Sequence, residues 1–492
     1  MPAAAHSTLF PRASLVLSLI VAGVALSRCG CDELDDETGE LLGAISACRA
    51  KTECVHRRVL LVVVDTLKAS GCGCYGYRRR TTPVIDLLAE RGVRFERFYA
   101  ASPWTSPAFG TIFTGVSPTV HRAGWETGKK NDEAMTIKGV TITPLRDDLP
   151  TLAGMLGGVP SGAIVTNSLL SSELGYGRGF DTYDQEGASS TRHRRADEVT
   201  RAALEWLERN SKGDFFLVVH YFDPHIAYMP PERYREAFVR GPCGRIEARF
   251  AAVKKIRNGS LRPTAREKAC IRDLYDGEVR FVDQQIGELL AGMRRLDLLS
   301  NTWIAVSADH GEEHWEHGTF EHGHRYEDEV TRVPLVVRPA CRGSTPAAAT
   351  VSQTASHVDL TATVLRLFGR EIPESLEGRS LLPAIEGEEI DSRPAYMEFN
   401  LYGKQKHALF DGRFKIVRKL ADGSAHLYDM EKDPAEKRPL TRGHPRFARM
   451  LDRIREHAAE LKARSNSDEK PDRKVRLSPR AAEALKQLGY VE

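Results

Sequence analysis

Three apolar runs, each released into polar residues at its end, limit what this chain can fold into more than any other feature. VLLVVVD (59–65) has β-branched and leucine side chains at successive positions, so a strand built from it has no solvent face. Such strands lie inside parallel sheets covered on both sides by helices. DFFLVVHYFDPH (214–225) and TWIAVSADHGEE (302–313) repeat the pattern. Open α/β sheets carry ligand sites at the carboxyl ends of their strands, so residue 65, residues 220–225 and residues 309–310 are expected to converge.

Helical periodicity fills the intervals. ADEVTRAALEWLERN (196–210) places Val199, Ala203, Trp206 and Leu207 on one face. DLYDGEVRFVDQQIGELLAGMRRL (273–296) repeats Val279, Val282, Ile286, Leu289, Leu290 and Met293 at helical spacing. Strands alternating with core-facing helices predict a layered α/β/α body over residues 57–370. Beyond it, LYGKQKHALFDGRFKIVRKL and AHLYDMEKDP predict short antiparallel strands turning at Asp411-Gly412 and Asp422-Gly423. They make a smaller α+β unit over residues 371–492, in which the charged segment 463–480 is expected to be a flexible linker before a last short helix.

The first 28 residues predict an export signal. Arg12 precedes ASLVLSLIVAGVAL (13–26), an apolar run of 14 residues, short of the roughly 20 that span a bilayer. Leu26-Ser27-Arg28-Cys29 is similar to a bacterial lipoprotein box, with Arg28 where a small residue is usual; Cys29 is thus a candidate lipidation and membrane-attachment point. Residues 29–56, with the acidic run CDELDDETGE, predict a solvated linker. Nine cysteines suit an oxidising compartment, and a lipidated Cys29 would leave eight, with open connectivity. Cys72 and Cys74 have no second thiol or histidine cluster nearby in sequence, which argues against a metal site there. With 70 basic against 67 acidic residues, the charge gives no argument for a nucleic-acid partner.

Five segments, in order, carry a family resemblance: VVVDTLKASGCGCYGY, SPWTSPAFGTIFTG, ELGYGRGFDTYD, HYFDPHIAYMPP and ADHGEEHWEHGTFEHGHRYEDEVTRVPLVV. By these the chain is identified as a member of the sulfatase family within the alkaline phosphatase superfamily. SHVDLTATVLRLFG, LEGRSLLP and LYDMEKDP resemble the tail of that family. The resemblance implies an alkaline-phosphatase-like α/β/α sandwich with a mainly parallel sheet, residues 57–370 being the catalytic domain. It matches Asp65 to the first metal-binding aspartate, Thr105 to the nucleophile, and Asp309 with His310 to the late metal pair. One divalent ion (Mn, Zn, Mg or Ca) held by Asp65, Thr105, Asp309 and His310 follows, the imidazole favouring manganese or zinc. His225 matches the histidine that contacts the transferred group or protonates the leaving oxygen. His324 and His322 fall near the substrate oxygens, and the spacing of His324 to Arg332-Val333-Pro334 fits better. Asn167 stands where relatives carry an active-site lysine, and its amide can donate to an anionic oxygen. His220 is expected to be structural. His314 and His317 could join His225 around a second metal, but the spacing favours a single ion.

The departures from the family decide the chemistry. Thr66 replaces a second metal-binding aspartate, and Lys68 and Ser70 replace an arginine and an aspartate. Formylglycine is made from cysteine or serine, with proline two residues on and arginine four residues on; this chain has Thr105, Pro107 and Phe109, so no formylglycine is expected. A secondary alcohol attacks only where a metal or base lowers its pKa. The surviving residues resemble the single-metal centre of the phosphotransferases that build lipoteichoic acid. The expected function is an exported, metal-dependent hydrolase of sulfate or phosphate esters on small molecules or glycans. A phosphotransferase and a catalytically idle homologue are the alternatives.

Overall fold

The computed structural model describes residues 38–39, 41–43, 55–127, 136–137, 140–187, 194–244, 246, 250–257, 259–340 and 348–465. The export signal, Cys29, most of the expected linker, the chain beyond 465 and the last short helix lie outside the described residues.

The central sheet has eight strands: β1 (Arg58–Val64), β2 (Val93–Phe95), β3 (Ser161–Ile164), β4 (Thr182–Asp184), β5 (Phe215–Tyr221), β6 (Trp303–Ala308), β7 (Leu335–Arg338) and β8 (Ala349–Val351). Their order is β8-β2-β7-β6-β1-β5-β3-β4. β1 runs parallel to β5 and β6, with Val62 beside Val219 and Val306. Only β7 is reversed, pairing antiparallel with β6 and β2. All seven residues of β1 and of β5 are buried, so each large apolar side chain contributes about 1.5–3 kcal/mol and polar residues are confined to the strand ends.

Helices α1 (Pro83–Glu90), α2 (Thr105–Thr114), α3 (Ala196–Asn210) and α4 (Ala265–Arg295) pack around this sheet. In α3 the expected face of Val199, Ala203, Trp206 and Leu207 is buried. α4 begins earlier than its apolar repeat, because Thr264 accepts from the Glu267 N–H while Glu267 accepts from the Thr264 N–H. Part of the expected solvated linker is instead docked: Leu41 is buried, and Thr38 accepts from Arg280 Nη2 and donates to Gln284. Gly287 of α4 admits it, since a Cβ there would fall 2.2 Å from Leu41 Cδ2. Cys243 and Cys270 form a disulfide, whereas Cys72 and Cys74 are free thiols.

After α5 (Val358–Leu367) the chain builds a four-stranded antiparallel sheet, β9 (Ala395–Met397), β10 (Lys406–Asp411), β11 (Phe414–Lys419) and β12 (Ala425–Asp429). Gly412 at φ 66° and Gly423 at φ 68° make its two expected turns. Helix α6 (Pro445–Arg464) then packs Phe447, Met450, Ile454 and Leu461 inward. Among the described residues no helix is long and apolar enough to cross a membrane.

Candidate active site

The carboxyl ends of β1, β5 and β6 lie side by side, and the polar residues that follow them meet there. Asp65 continues the ladder of β1, its N–H donating to the Tyr221 carbonyl at 2.9 Å. The chain then turns through Thr66 at φ 58°, a left-handed conformation that a β-branched residue adopts only when its surroundings impose it. Thr66 donates its N–H to Asp309 Oδ1 at 3.3 Å and its hydroxyl to the Pro224 carbonyl at 3.0 Å. The side chain that replaces an aspartate is therefore turned toward backbone.

Asp65, Asp309 and His310 each bring one ligand atom to a common point, all within 4.8 Å of one another and all buried. Asp309 Oδ1 is occupied by the N–H groups of Thr66 and His310, and Asp65 Oδ2 by the Asn167 amide at 3.0 Å. That leaves Asp65 Oδ1 and Asp309 Oδ2 buried with no hydrogen-bond partner. His310 Nδ1 faces the Gly311 carbonyl at 3.0 Å, and because a carbonyl only accepts, Nδ1 carries a proton; burial acts to lower the pKa of this imidazole but the Asp309 and Asp65 charges outweigh it and raise it, and in the neutral ring the Nε2 lone pair faces those carboxylates. Two orphaned anionic oxygens beside one imidazole lone pair are what a divalent cation completes, so the residues present fit a metal. Burial pushes Asp309 up to about 7, with the Asp65 charge adding to it. Burial also acts to raise Asp65, but His225, His220 and His310 overcome it and hold that carboxylate well below its usual range.

Thr105 opens α2, and its hydroxyl lies 3.3 Å from His310 Nε2 and 3.4 Å from Asn167 Nδ2. Asn167 is fully buried, with its Oδ1 taken by the Leu169 N–H. It braces a carboxylate and the threonine rather than reaching outward for substrate. The neighbouring Ser106 hydroxyl is bonded to Tyr176 at 2.8 Å, which turns it away from the cluster.

The histidines divide by position. His220 Nε2 stands 3.5 Å from Asp65 Oδ2 and its ring edge packs on Phe109 at 5.1 Å, a bracing placement. His225 stacks on Phe222 at 4.5 Å and directs Nδ1 to the Ile226 carbonyl at 2.6 Å, so its Nε2 carries the lone pair; burial drives its pKa down to about 3. His322, not His324, is the imidazole beside the cluster, with ring centroids 4.4 Å from His310 and 5.1 Å from His225. His324 points the other way, toward the Thr319 hydroxyl at 2.9 Å. The backbone turns on either side of His322, with Glu321 at φ 76° and Gly323 at φ 82°, which the spacing of His324 to Arg332-Val333-Pro334 does not report. His314 is engaged at Nδ1 by Lys68 Nζ at 3.3 Å and His317 Nε2 lies 3.2 Å from Glu329; among the described residues neither gathers with His225 into a group of possible metal ligands.

Glu312 escaped the sequence reading. It is buried, accepts the Tyr228 hydroxyl at 3.0 Å and sits 3.0 Å from His322 Nδ1, so it sets the orientation of that ring; burial raises its pKa to about 8. The signal for it was its place three residues after Asp309 in the same strand-end segment. Lys68, which stands in place of an arginine, spends its charge on Glu316 at 2.8 Å.

The chain matches the family described as Sulfatase over residues 57–370 and that described as N-sulphoglucosamine sulphohydrolase, C-terminal, over residues 315–464. It is 28% identical over 423 residues to the uncharacterized sulfatase YidJ of Escherichia coli, covering 77% of this chain and 81% of that protein. To the N-acetylglucosamine-6-O-sulfatase of Bacteroides thetaiotaomicron it is 25% identical over 476 residues, covering 78% and 83%. Among solved structures, one in complex with its substrate D-glucosamine-2-N,6-O-disulfate aligns with a TM-score of 0.67 at 20% identity over 85% of this chain and 100% of the other. A phosphonate monoester hydrolase from Silicibacter pomeroyi aligns with a TM-score of 0.62 at 21% identity, covering 83% and 95%.

Proposed function

Because the chain belongs to the sulfatase family, we propose that it is a hydrolase of sulfate esters, or of phosphate or phosphonate esters of similar shape, that uses Thr105 itself as nucleophile. One observation carries this reading. The Thr105 hydroxyl lies 3.3 Å from His310 Nε2, the imidazole nitrogen that stands 3.6 Å and 3.4 Å from the two partnerless carboxylate oxygens of Asp65 and Asp309. Asp65, Asp309 and His310, with the Thr105 oxygen, would hold one divalent ion, which when bound lowers the pKa of a hydroxyl and polarises an ester oxygen.

The chain's own groups account for the rest. Asn167 holds the Thr105 oxygen and Asp65 in a fixed relation, so little reorganisation is needed before attack. Thr105 Oγ1 gives up its proton and bonds to sulfur or phosphorus as the ester S–O or P–O bond breaks; the departing oxygen takes a proton and leaves as the alcohol, and water then cleaves the threonine ester, restoring the Thr105 hydroxyl and releasing sulfate, phosphate or phosphonate. His225 and His322, in ring contact beside the cluster, are the imidazoles placed to carry those protons. The apolar run before Cys29 supports export of this enzyme, and the substrate named in the similar solved structure supports a sulfated sugar.

The test is turnover of an aryl sulfate, an aryl phosphate, a bis-aryl phosphate and a phenylphosphonate ester by protein loaded with Mn²⁺ or Zn²⁺. Turnover of at least one, lost on chelation and regained on reloading, is expected. No turnover of any ester by metal-loaded, folded protein would mean an idle homologue.

A further inference from the structure

The C-terminal sheet forms a second concave place against the catalytic body. Lys406 on β10 and Lys419 on β11 are direct cross-strand partners, and strand alternation puts Val417, His426 and Tyr428 on the same face. That face floors a cavity of about 540 Å³ whose opposite wall is Thr319, His324 and Arg325, with the Tyr402 to Lys404 turn at its side.

The charges here are out of balance. Like charges set directly opposite each other across a ladder repel, and Lys406 and Lys419 are so placed. Among the described residues no carboxylate stands at ion-pair distance from Lys404, Lys406 or Lys419; Asp422, in the turn after Lys419, is an acid near enough to feel the charges of Lys419 and Lys404. Lys406 donates to the His324 carbonyl at 3.1 Å, while Glu327 is already committed to Arg325 at 3.0 Å. Burial lowers the pKa of Lys406, Glu327 opposes that, and Arg325 and Lys419 lower it further. The same sheet face shows the contrast: Lys415, four residues from Lys419 along the strand, is matched by Asp328 at 2.9 Å and Glu436 at 3.1 Å. The cavity is a neighbour of the active site, separated from it by the segment whose His322 ring faces His310 and whose His324 lines the cavity. Tyr402, half-buried and with Arg257 over its ring at 4.9 Å, is the aromatic side chain left for a sugar ring to pack on, while Tyr428 is buried in the wall.

We infer that this cavity holds a second anionic group, sulfate or carboxylate, on a sugar adjoining the one whose ester reaches Thr105, so that the substrate is an anionic oligosaccharide. This rests on the ester-hydrolase reading above, but the test is one of binding and does not depend on turnover. Thr105→Ala protein is titrated calorimetrically with tetrasaccharides of chondroitin 6-sulfate, of unsulfated hyaluronan and of chitin. The expected result is that an anionic tetrasaccharide binds at least about tenfold more tightly than the neutral one, as charge-assisted bonds imply. Adding Lys406→Met and Lys419→Met should cost at least about tenfold, while arginine at both positions retains most of the affinity. Preference for the chondroitin sulfate alone identifies sulfate; equal binding of hyaluronan identifies carboxylate. Equal affinity for the neutral chain, no binding of either anionic chain, or full affinity in the double methionine variant would overturn the inference. Melting temperature confirms folding, and Lys406→Gln alone serves if the double variant does not fold. Hydrolysis by Thr105→Ala at the parent rate would sink the nucleophile reading and leave the binding result standing.

Discussion

Two side chains one step removed from the reacting atoms carry much of the geometry. Glu312 fixes the His322 ring, and Asn167 ties Asp65 to Thr105. Groups that orient ligands and imidazoles in this way typically matter by ten- to hundredfold. Glu312→Gln keeps the shape and is expected to lower kcat/KM by about ten- to a hundredfold in steady-state assays on the best ester. Asn167→Ala is expected to weaken metal affinity by a similar factor, measured by chelator competition. Thr66 shows the cost side: a left-handed β-branched residue stores on the order of 1–3 kcal/mol, held because its N–H is needed by Asp309.

The long helix α4 underlies the sheet's covering layer, and its stability is open to direct test. Ile286→Ala, at a fully buried position, is expected to cost about 2–5 kcal/mol in denaturant unfolding, and Thr264→Ala, which removes the cap, about 1 kcal/mol. Elements of this kind were legible: the runs ending at Asp65 and Asp309 had no polar face, so strand, burial and site position followed together. Helix α6 was not read, because its four apolar contacts are spread over a segment otherwise dense in charge. The docking of Leu41 was hidden by the acidic residues around it, since what admits it is a glycine on a distant helix. In the site, the gathering of Asp65, Asp309 and His310 was visible from the strand ends and the motifs, while the choice between His322 and His324 turned on two positive φ angles that spacing does not report.

At the scale of the whole molecule, buried carboxyls link the parts. Glu398 follows β9, is fully buried, and accepts the Thr119 N–H and hydroxyl, each at 2.6 Å; burial raises its pKa to about 7. An acid whose folded pKa lies above its unfolded value of roughly 4.3 keeps its proton in the folded state, so its contribution is full below about pH 4 and lost as pH rises toward 7. Glu398→Gln should therefore show a flatter melting temperature than the parent between those limits. The proposed ion would act across the molecule too: loading at a hundredfold over its Kd should add about 2.7 kcal/mol of stability, read as a rise in Tm over the chelated protein. The central claim is that Thr105 is the attacking group, and the most direct measurement is kcat/KM of Thr105→Ala against the parent on the same ester with the same metal. A loss of about a thousandfold or more, with unchanged melting behaviour, is predicted; equal rates in the two proteins would contradict the account.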